Sequence, residues 1–244
     1  VIEANPRASR TVPFVSKATG VPLAKLAARV MAGEKLADLN LPDDERRLEH
    51  FSVKEAVMPF GRFPGADVVL GPEMKSTGEV MGIARNFPAA YAKTQLAISY
   101  ELPQEGTVFI SVCDRDKRSI IPIARDIARL GFKIVATSGT ERALSAAGID
   151  CELVKKVREG SPNVIDRIAS GEVTLMINTP FGHETRSDGY ELRAAAVRHG
   201  LTYVTTLSAA QAFVAGMEVS REAGFDVVAL QDLPQWEPPA AAAR

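Results

Sequence analysis

The amino-terminal segment Glu3-Ala4-Asn5-Pro6-Arg7-Ala8-Ser9-Arg10 combines the residue types that bind metal ions and phosphate. In an extended strand, Glu3 and Asn5 lie on one face about 6.6–6.8 Å apart, so their oxygens can bind one hard cation. Arg7 shares that face and can bind phosphate oxygens as a bidentate fork. The spacing therefore indicates a magnesium and phosphate site, with a solvated edge strand as the alternative.

A second group of polar residues lies at predicted strand ends in the carboxyl-terminal half. The segment Ala136-Thr137-Ser138-Gly139-Thr140 ends a strand and begins a helix, so hydroxyls and free helix N–H groups can hold a phosphate. Ser111 and Lys117 follow an earlier strand, while Lys156 and Asn178 end two later ones. Ligands of doubly wound sheets bind beyond the carboxyl ends of the strands. These residues are therefore predicted to form one phosphate site, and the alternative is a capped helix with solvated lysines.

Hydrophobic periodicity predicts the elements that position this second group. From about residue 107, short apolar runs alternate with amphipathic stretches, as in a chain of alternating strands and helices. Apolar runs of this kind are typical of strands covered on both faces, and helical crossovers make neighbouring strands parallel. We therefore predict an α/β fold with a doubly wound parallel sheet. Its strands are predicted at Thr107–Val112, Phe132–Thr137, Cys151–Val157, Val173–Thr179, Leu201–Thr206 and Phe225–Leu230.

The first hundred residues have a different pattern, with helices separated by extended stretches. A helix is predicted between Pro22 and Gly33, and a second over Phe87–Ile98. The boundary between the two regions is expected at residues 99–106, and the Pro- and Ala-rich residues 234–244 are expected to be an unstructured tail. Extended segments are predicted at Thr11–Lys17, Phe51–Met58 and Leu70–Ile83.

Composition excludes several classes of protein. The 244 residues contain 29 Lys and Arg against 30 Asp and Glu, a net charge of −1, so nucleic acid and membrane surfaces are not expected as partners. The sequence has no apolar run long enough to span a bilayer and no secretory signal, which predicts a cytoplasmic protein. Two isolated cysteines indicate neither a disulfide framework nor a zinc site. Because the sequence opens on Val1-Ile2 without an initiator Met, we expect a piece of a longer chain.

Long stretches of this sequence resemble the carbamoyl phosphate synthetase large subunit family. The resemblance extends over about residues 1–232, and it begins in the metal- and nucleotide-binding segment near the end of an ATP-grasp module. The matching runs are Glu3–Gly20, Phe51–Glu55, Pro59–Phe60 and Leu70–Gly82.

The resemblance implies that residues 1–98 are the last part of the second synthetase component, which phosphorylates carbamate with ATP. Glu3 and Asn5 match the ligands of Mg²⁺ or Mn²⁺, with Glu3 also contacting ATP, and Arg7 and Arg10 match residues that position phosphates. No counterpart of the family's glycine-rich phosphate loop is found in the sequence. The 244 residues alone are therefore expected to be inactive without the upstream remainder of the large subunit.

Residues 99–233 resemble the methylglyoxal-synthase-like (MGS-like) regulatory domain of the same family. In that family, residues matching Lys117, Thr137, Thr140, Lys156 and Asn178 bind a nucleoside monophosphate effector, UMP or IMP, and Ser111 lies beside them. Pro180 and His183-Glu184 depart from the family pattern, which leaves the identity of the effector open. Glu55 and Thr205 match part of a site for ornithine between the two domains, half of whose ligands would lie upstream.

The resemblance also implies a glutaminase small subunit as the ammonia-supplying partner, and roles in pyrimidine and arginine biosynthesis. Two alternatives remain open. One is a lyase of the methylglyoxal synthase type. Its chemistry needs a carboxylate base at the end of the fourth strand, but the segment Asn178-Thr179-Pro180 at that place contains no carboxylate. The other is a stand-alone nucleotide sensor, which leaves the Glu3-to-Arg10 segment without a role.

Overall fold

The computed structural model describes residues 8–41, 48–62, 74–100, 102–179, 183–222, 225 and 227–233, with side chains omitted at 61 and 183–188. The elements of the first hundred residues are α1 (Thr11–Thr19), α2 (Leu23–Met31), β1 (Phe51–Val57), β2 (Gly78–Ala84) and α3 (Phe87–Ala97), with short 3-10 helices at Leu36–Leu39 and Phe60–Arg62.

Strands β1 and β2 form an antiparallel pair covered by α3. Their register runs from Phe51 opposite Ala84 to Val57 opposite Gly78. Helix α3 begins at a side-chain cap, because the Asn86 side chain accepts a hydrogen bond of 2.9 Å from the Ala89 N–H. Helices α1 and α2 pack around a small separate core of Val21, Leu26 and Leu39.

The carboxyl-terminal half contains a five-stranded parallel sheet of order β5-β4-β3-β6-β7. Helices follow four of its strands as connections, and α8 follows the last. The elements are β3 (Thr107–Val112), α4 (Ile120–Arg129), β4 (Lys133–Ala136), α5 (Ser138–Ala146), β5 (Glu152–Leu153), α6 (Val164–Ala169), β6 (Val173–Thr179), α7 (His183–Arg198), β7 (Thr202–Val204) and α8 (Leu207–Glu222), with 3-10 helices at Asp114–Asp116, Val157–Glu159 and Leu230–Asp232.

Both faces of this sheet are buried in apolar cores. Because side chains alternate along a strand, β3 contributes Val108 and Ile110 to one core and Phe109 to the other. The first core also contains Phe213 of α8, and the second contains Leu192 of α7. The predicted α/β fold with a doubly wound sheet is therefore confirmed, and β3 and β6 have their predicted ends.

The strand predicted at Phe225–Leu230 is wrong. Phe225 and residues 227–229 form no strand, and Leu230 begins a short 3-10 helix. An apolar run becomes a strand only where a sheet edge can pair with it, and the edge strand β7 is three residues long. Val227 and Val228 consequently remain 99% and 56% exposed.

The extended segment predicted at Thr11–Lys17 is also wrong, because these residues lie in helix α1. β-Branched Thr11, Val12 and Val15 favour strands, but tertiary packing overrides so weak a preference. Pro13 is tolerated because N–H groups in the first turn have no intrahelical acceptor. The helix ends at Gly20 with a φ of 72°, a conformation that glycine adopts without strain.

No helix in the described part of the chain is long and apolar enough to cross a membrane. The predicted tail at 234–244 lies outside the described residues.

Candidate functional site

A cavity of about 460 Å³ opens at the carboxyl edge of the parallel sheet. The chain winds outward from β3 through β4 to β5 and then returns to β6 and β7. The direction of winding therefore reverses between β3 and β6, where doubly wound sheets bind their ligands. All six residues predicted from strand ends lie on the cavity wall: Ser111, Lys117, Thr137, Thr140, Lys156 and Asn178.

Hydroxyl groups connect the strand ends on this wall. The Ser111 and Thr137 hydroxyls lie 3.1 Å apart, which joins the ends of β3 and β4. The backbone N–H of Val112 donates to the Thr140 hydroxyl at 3.2 Å, and that of Cys113 donates to the Thr179 hydroxyl at 3.3 Å. The first of these bonds fixes the start of α5 against the end of β3, and the second joins the end of β3 to that of β6.

Asn178 presents an unsatisfied acceptor in the cavity wall. Its side-chain amide donates to the Ser111 carbonyl at 3.1 Å, which sets the orientation of the amide group. The residue is 5% exposed, and no described group donates to its Oδ1 atom. Leaving a buried acceptor unpaired costs about 1–3 kcal/mol. Because the Oδ1 atom has less than 1 Å² of accessible surface, a donor can reach it only if the wall rearranges.

Positive charge is concentrated at the amino end of α5. A Cβ atom on Gly139 would lie 2.8 Å from Lys117 Nζ, so the absent side chain makes room for the ammonium group. Lys156 lies elsewhere on the same wall. Free N–H groups and the helix dipole attract anions at this end of a helix, and the lysines add full charges. Beside it, the Lys117 ammonium holds the pKa of the Asp114 carboxyl below its usual value.

Glu55, predicted to bind an ammonium group, lies half-buried on β1. Burial raises the pKa of its carboxyl, and a hydrogen bond with Gln95 of α3 partly opposes that effect. Tyr91 and Tyr100 are near enough for the Glu55 charge to raise the pKa of each, although burial is the larger cause for both. No described cationic side chain forms an ion pair with Glu55.

Tyr203 of β7 adjoins this cluster, since it also raises the pKa of Tyr100. Thr205, predicted alongside Glu55, lies two residues further along and is exposed. No motif in the sequence singles out Tyr203. Its one signal is the spacing, because residues two apart in an extended chain share a face.

The described residues contain one member of the predicted metal and phosphate group, Arg10. Its guanidinium lies 3.3 Å from Glu79 and 3.5 Å from the Ser76 hydroxyl, while Lys54 donates to the Arg10 carbonyl at 3.0 Å. Arg10 is thus bound to β2. Glu3, Asn5 and Arg7 lie outside the described residues, and no metal-binding group of three or more His, Cys, Asp or Glu occurs among those described.

Two family models match separate parts of the sequence. Residues 1–39 match the carbamoyl-phosphate synthase L chain, ATP binding domain, and residues 119–205 match the MGS-like domain. A Methanopyrus kandleri protein named "carbamoyl phosphate synthase large chain, C-terminal section" is 53% identical over 98% of this chain. This chain is homologous to the C-terminal part of carbamoyl phosphate synthase large chains. The resemblance inferred from the motifs is confirmed.

Full-length large chains show the same relationship. Those of Methanothermobacter thermautotrophicus and Archaeoglobus fulgidus are 56% and 51% identical to this chain, each over 95% of its length. The chain spans 45% of the Methanopyrus protein and 22% of each of these two large chains. The homology therefore covers the region that joins part of an ATP-binding domain to an MGS-like domain.

Proposed function

We propose that this chain is the regulated end of a carbamoyl phosphate synthase large chain, an ATP-dependent ligase. Residues 1–98 would complete the site that phosphorylates carbamate, with Glu3 and Asn5 holding Mg²⁺ or Mn²⁺ and Arg7 and Arg10 positioning phosphates. Residues 99–233 would form an allosteric domain that binds a nucleoside monophosphate such as UMP or IMP. The cavity at the reversal of strand order is the observation that carries the regulatory part of the proposal.

The charge and the size of the cavity support a nucleoside monophosphate as the ligand. Thr137, Thr140, Lys117 and the amino end of α5 supply hydrogen-bond donors and positive charge for a phosphate group. The cavity volume of about 460 Å³ lies within the range usual for sites that enclose small molecules.

Thermal unfolding with UMP or IMP tests the nucleotide proposal. A ligand at one hundred times its Kd stabilises the folded state by about 2.7 kcal/mol, so the melting temperature should rise with ligand concentration. The Thr140→Ala/Lys156→Ala variant should lose this shift, measured against its own ligand-free midpoint. Lys155→Ala removes a neighbouring exposed charge and should retain it. No shift with either nucleotide, or an equal shift in the double variant, would contradict the proposal.

A second proposed site, for ornithine, involves Glu55 and Thr205. Its support is the half-buried Glu55 carboxylate, which has no described cationic partner and lies near Tyr91 and Tyr100. An ammonium ligand would supply the missing charge, and aromatic rings would add cation–π attraction. The upstream part of the large chain would supply further ligands.

Glu55→Gln is expected to raise the stability of the ligand-free chain at pH 7. Because burial raises the folded-state pKa of Glu55, its charge opposes folding above the unfolded-state value near 4.3. This penalty disappears as the pH falls through the folded-state pKa, so wild type and variant should converge at pH 4. Urea unfolding at both pH values checks this, with the exposed Glu105→Gln as control. A destabilised variant at pH 7, or a difference independent of pH, would count against it.

The remaining parts of the proposal concern partners and alternatives. The upstream remainder of the large chain would complete the ATP site, a glutaminase subunit would supply ammonia, and the product would enter pyrimidine and arginine biosynthesis. A methylglyoxal-synthase-type lyase is disfavoured, because Asp114 is the one carboxylate among the described cavity residues and Lys117 keeps its pKa low for a general base. A stand-alone sensor would not need the homologous ATP-binding segment.

A further inference from the structure

Asp114 is the one carboxylate on the described wall of the cavity, and it is bound to a lysine. Its Oδ1 atom lies 2.5 Å from Lys117 Nζ. The Asp114 side chain is 94% exposed, whereas that of Lys117 is 28% exposed. The carboxylate therefore contacts the ammonium from the solvent side, and the lysine extends inward along the cavity wall.

The position of the Lys117 ammonium is defined by α5. Its Nζ atom lies beside Gly139, within the first turn of this nine-residue helix, where anions are attracted. Lys156, Thr137 and Thr140 line the same cavity, and Asn178 on this wall has a buried Oδ1 atom without a described donor. The cavity thus has a cationic end that already holds an anion of the protein, and a polar acceptor that has no partner.

We propose that Asp114 is an internal competitor for the phosphate group of the ligand. In the ligand-free protein the Asp114 carboxylate forms an ion pair with the Lys117 ammonium, and the phosphate group of the ligand displaces the carboxylate when it binds. The inference rests on the proposed function of the cavity as a nucleoside monophosphate site.

Displacing Asp114 from Lys117 requires little free energy, because an ion pair exposed to water is weak. From the usual strength of such pairs, competition should reduce the affinity for the nucleotide by a factor of about two to five. The backbone of Asp114 is held in the 3-10 helix Asp114–Asp116. Its side chain can therefore turn to solvent without unfolding this segment. Asp114 would thereby weaken the binding of the effector without weakening the fold.

A double-mutant cycle read by isothermal titration calorimetry with UMP tests this role. Wild type, Asp114→Asn, Lys117→Met and the double variant are compared at one salt concentration. Asp114→Asn should bind UMP about two- to fivefold more tightly than wild type. In the Lys117→Met background the same substitution should have a much smaller effect, because the ammonium that Asp114 contacts is gone and only the more distant charge of Lys156 remains. Asp126→Asn, an equal change of charge on the exposed side of α4, should leave the affinity unchanged.

Each other outcome overturns a defined claim. Unchanged or weaker UMP binding by Asp114→Asn overturns the competition, and shows that the pair is neutral or positions Lys117. An equal gain in the Lys117→Met background also overturns it, because the effect is then that of net charge. If neither wild type nor Asp114→Asn binds UMP or IMP, the proposed nucleotide site itself fails, and the inference fails with it.

Discussion

Replacing Gly82 by alanine is expected to lower the free energy of unfolding by about 3 kcal/mol or more. A Cβ atom at this position would lie 2.0 Å from the Ala90 carbonyl oxygen and 3.0 Å from Thr94 Cγ2. The first of these atoms belongs to the backbone of α3, so no side-chain rotation relieves the clash. Strand β2 and helix α3 would have to separate, which loosens the packing of this helix on the antiparallel pair.

Urea unfolding measures this effect, and Gly78→Ala is the matched control. Gly78 begins the same strand, and a Cβ atom there would meet nothing within 4 Å, so its replacement should change stability little. Equal midpoints for the two variants would show that β2 and α3 are not in tight contact. Glu55 of β1 and Gln95 of α3 form a hydrogen bond between the antiparallel pair and this helix. Gly82→Ala, which separates the two, should therefore also weaken the proposed ornithine site.

The cavity is the part of the molecule that sequence reasoning predicted best. Thr137, Thr140 and Asn178 were predictable because they stand where apolar runs end, and parallel strands bring their carboxyl ends to one edge. The pairing of Asp114 with Lys117 was not predictable, since it depends on the 3-10 turn that follows β3. The unpaired Asn178 oxygen likewise depends on an amide orientation that the Ser111 carbonyl sets.

Elements without a strong pattern were harder to predict. Helix α1 is rich in β-branched residues, and its conformation follows from packing that no local window contains. The strand expected at Phe225–Leu230 has an apolar composition, but pairing requires a neighbour with free edge groups. Tyr203 approaches Tyr100 through the contact between two regions far apart in sequence, which spacing alone cannot reveal.

The parallel sheet joins the two proposed effector sites. Strand β6 contributes Asn178 to the cavity wall, and its neighbour β7 carries Tyr203, which lies opposite Met176 of β6. Asn178 of the cavity therefore lies only two residues along β6 from Met176, the partner of Tyr203 beside the Glu55 cluster. Regulation through this path requires each ligand to favour one of two arrangements, because a ligand that binds both equally shifts neither. The short path makes such coupling between the two sites physically reasonable.

The largest effect on activity is expected in carbamate-dependent ATP hydrolysis. A preparation of these 244 residues should have no turnover above background, because residues 1–39 match only part of an ATP-binding domain in relatives several times longer. Phosphoryl transfer is catalysed mainly by positioning and by charge stabilisation, so an incomplete set of ligands should not support it. Adding the preceding part of the large chain should restore turnover.

Glu3→Ala then tests whether the amino-terminal segment supplies a metal and ATP ligand to the restored site. Removing one charged group that stabilises a transition state typically costs about 100-fold or more in rate, and a comparable loss is expected here. Glu49→Ala, which removes an exposed carboxylate, should leave the restored rate unchanged. Turnover by the 244 residues alone, abolished by Glu3→Ala, would show that the site is already complete. If the restored turnover is unchanged by Glu3→Ala, Glu3 is not a metal or ATP ligand. The role proposed for Asn5 beside it would then lose its main support.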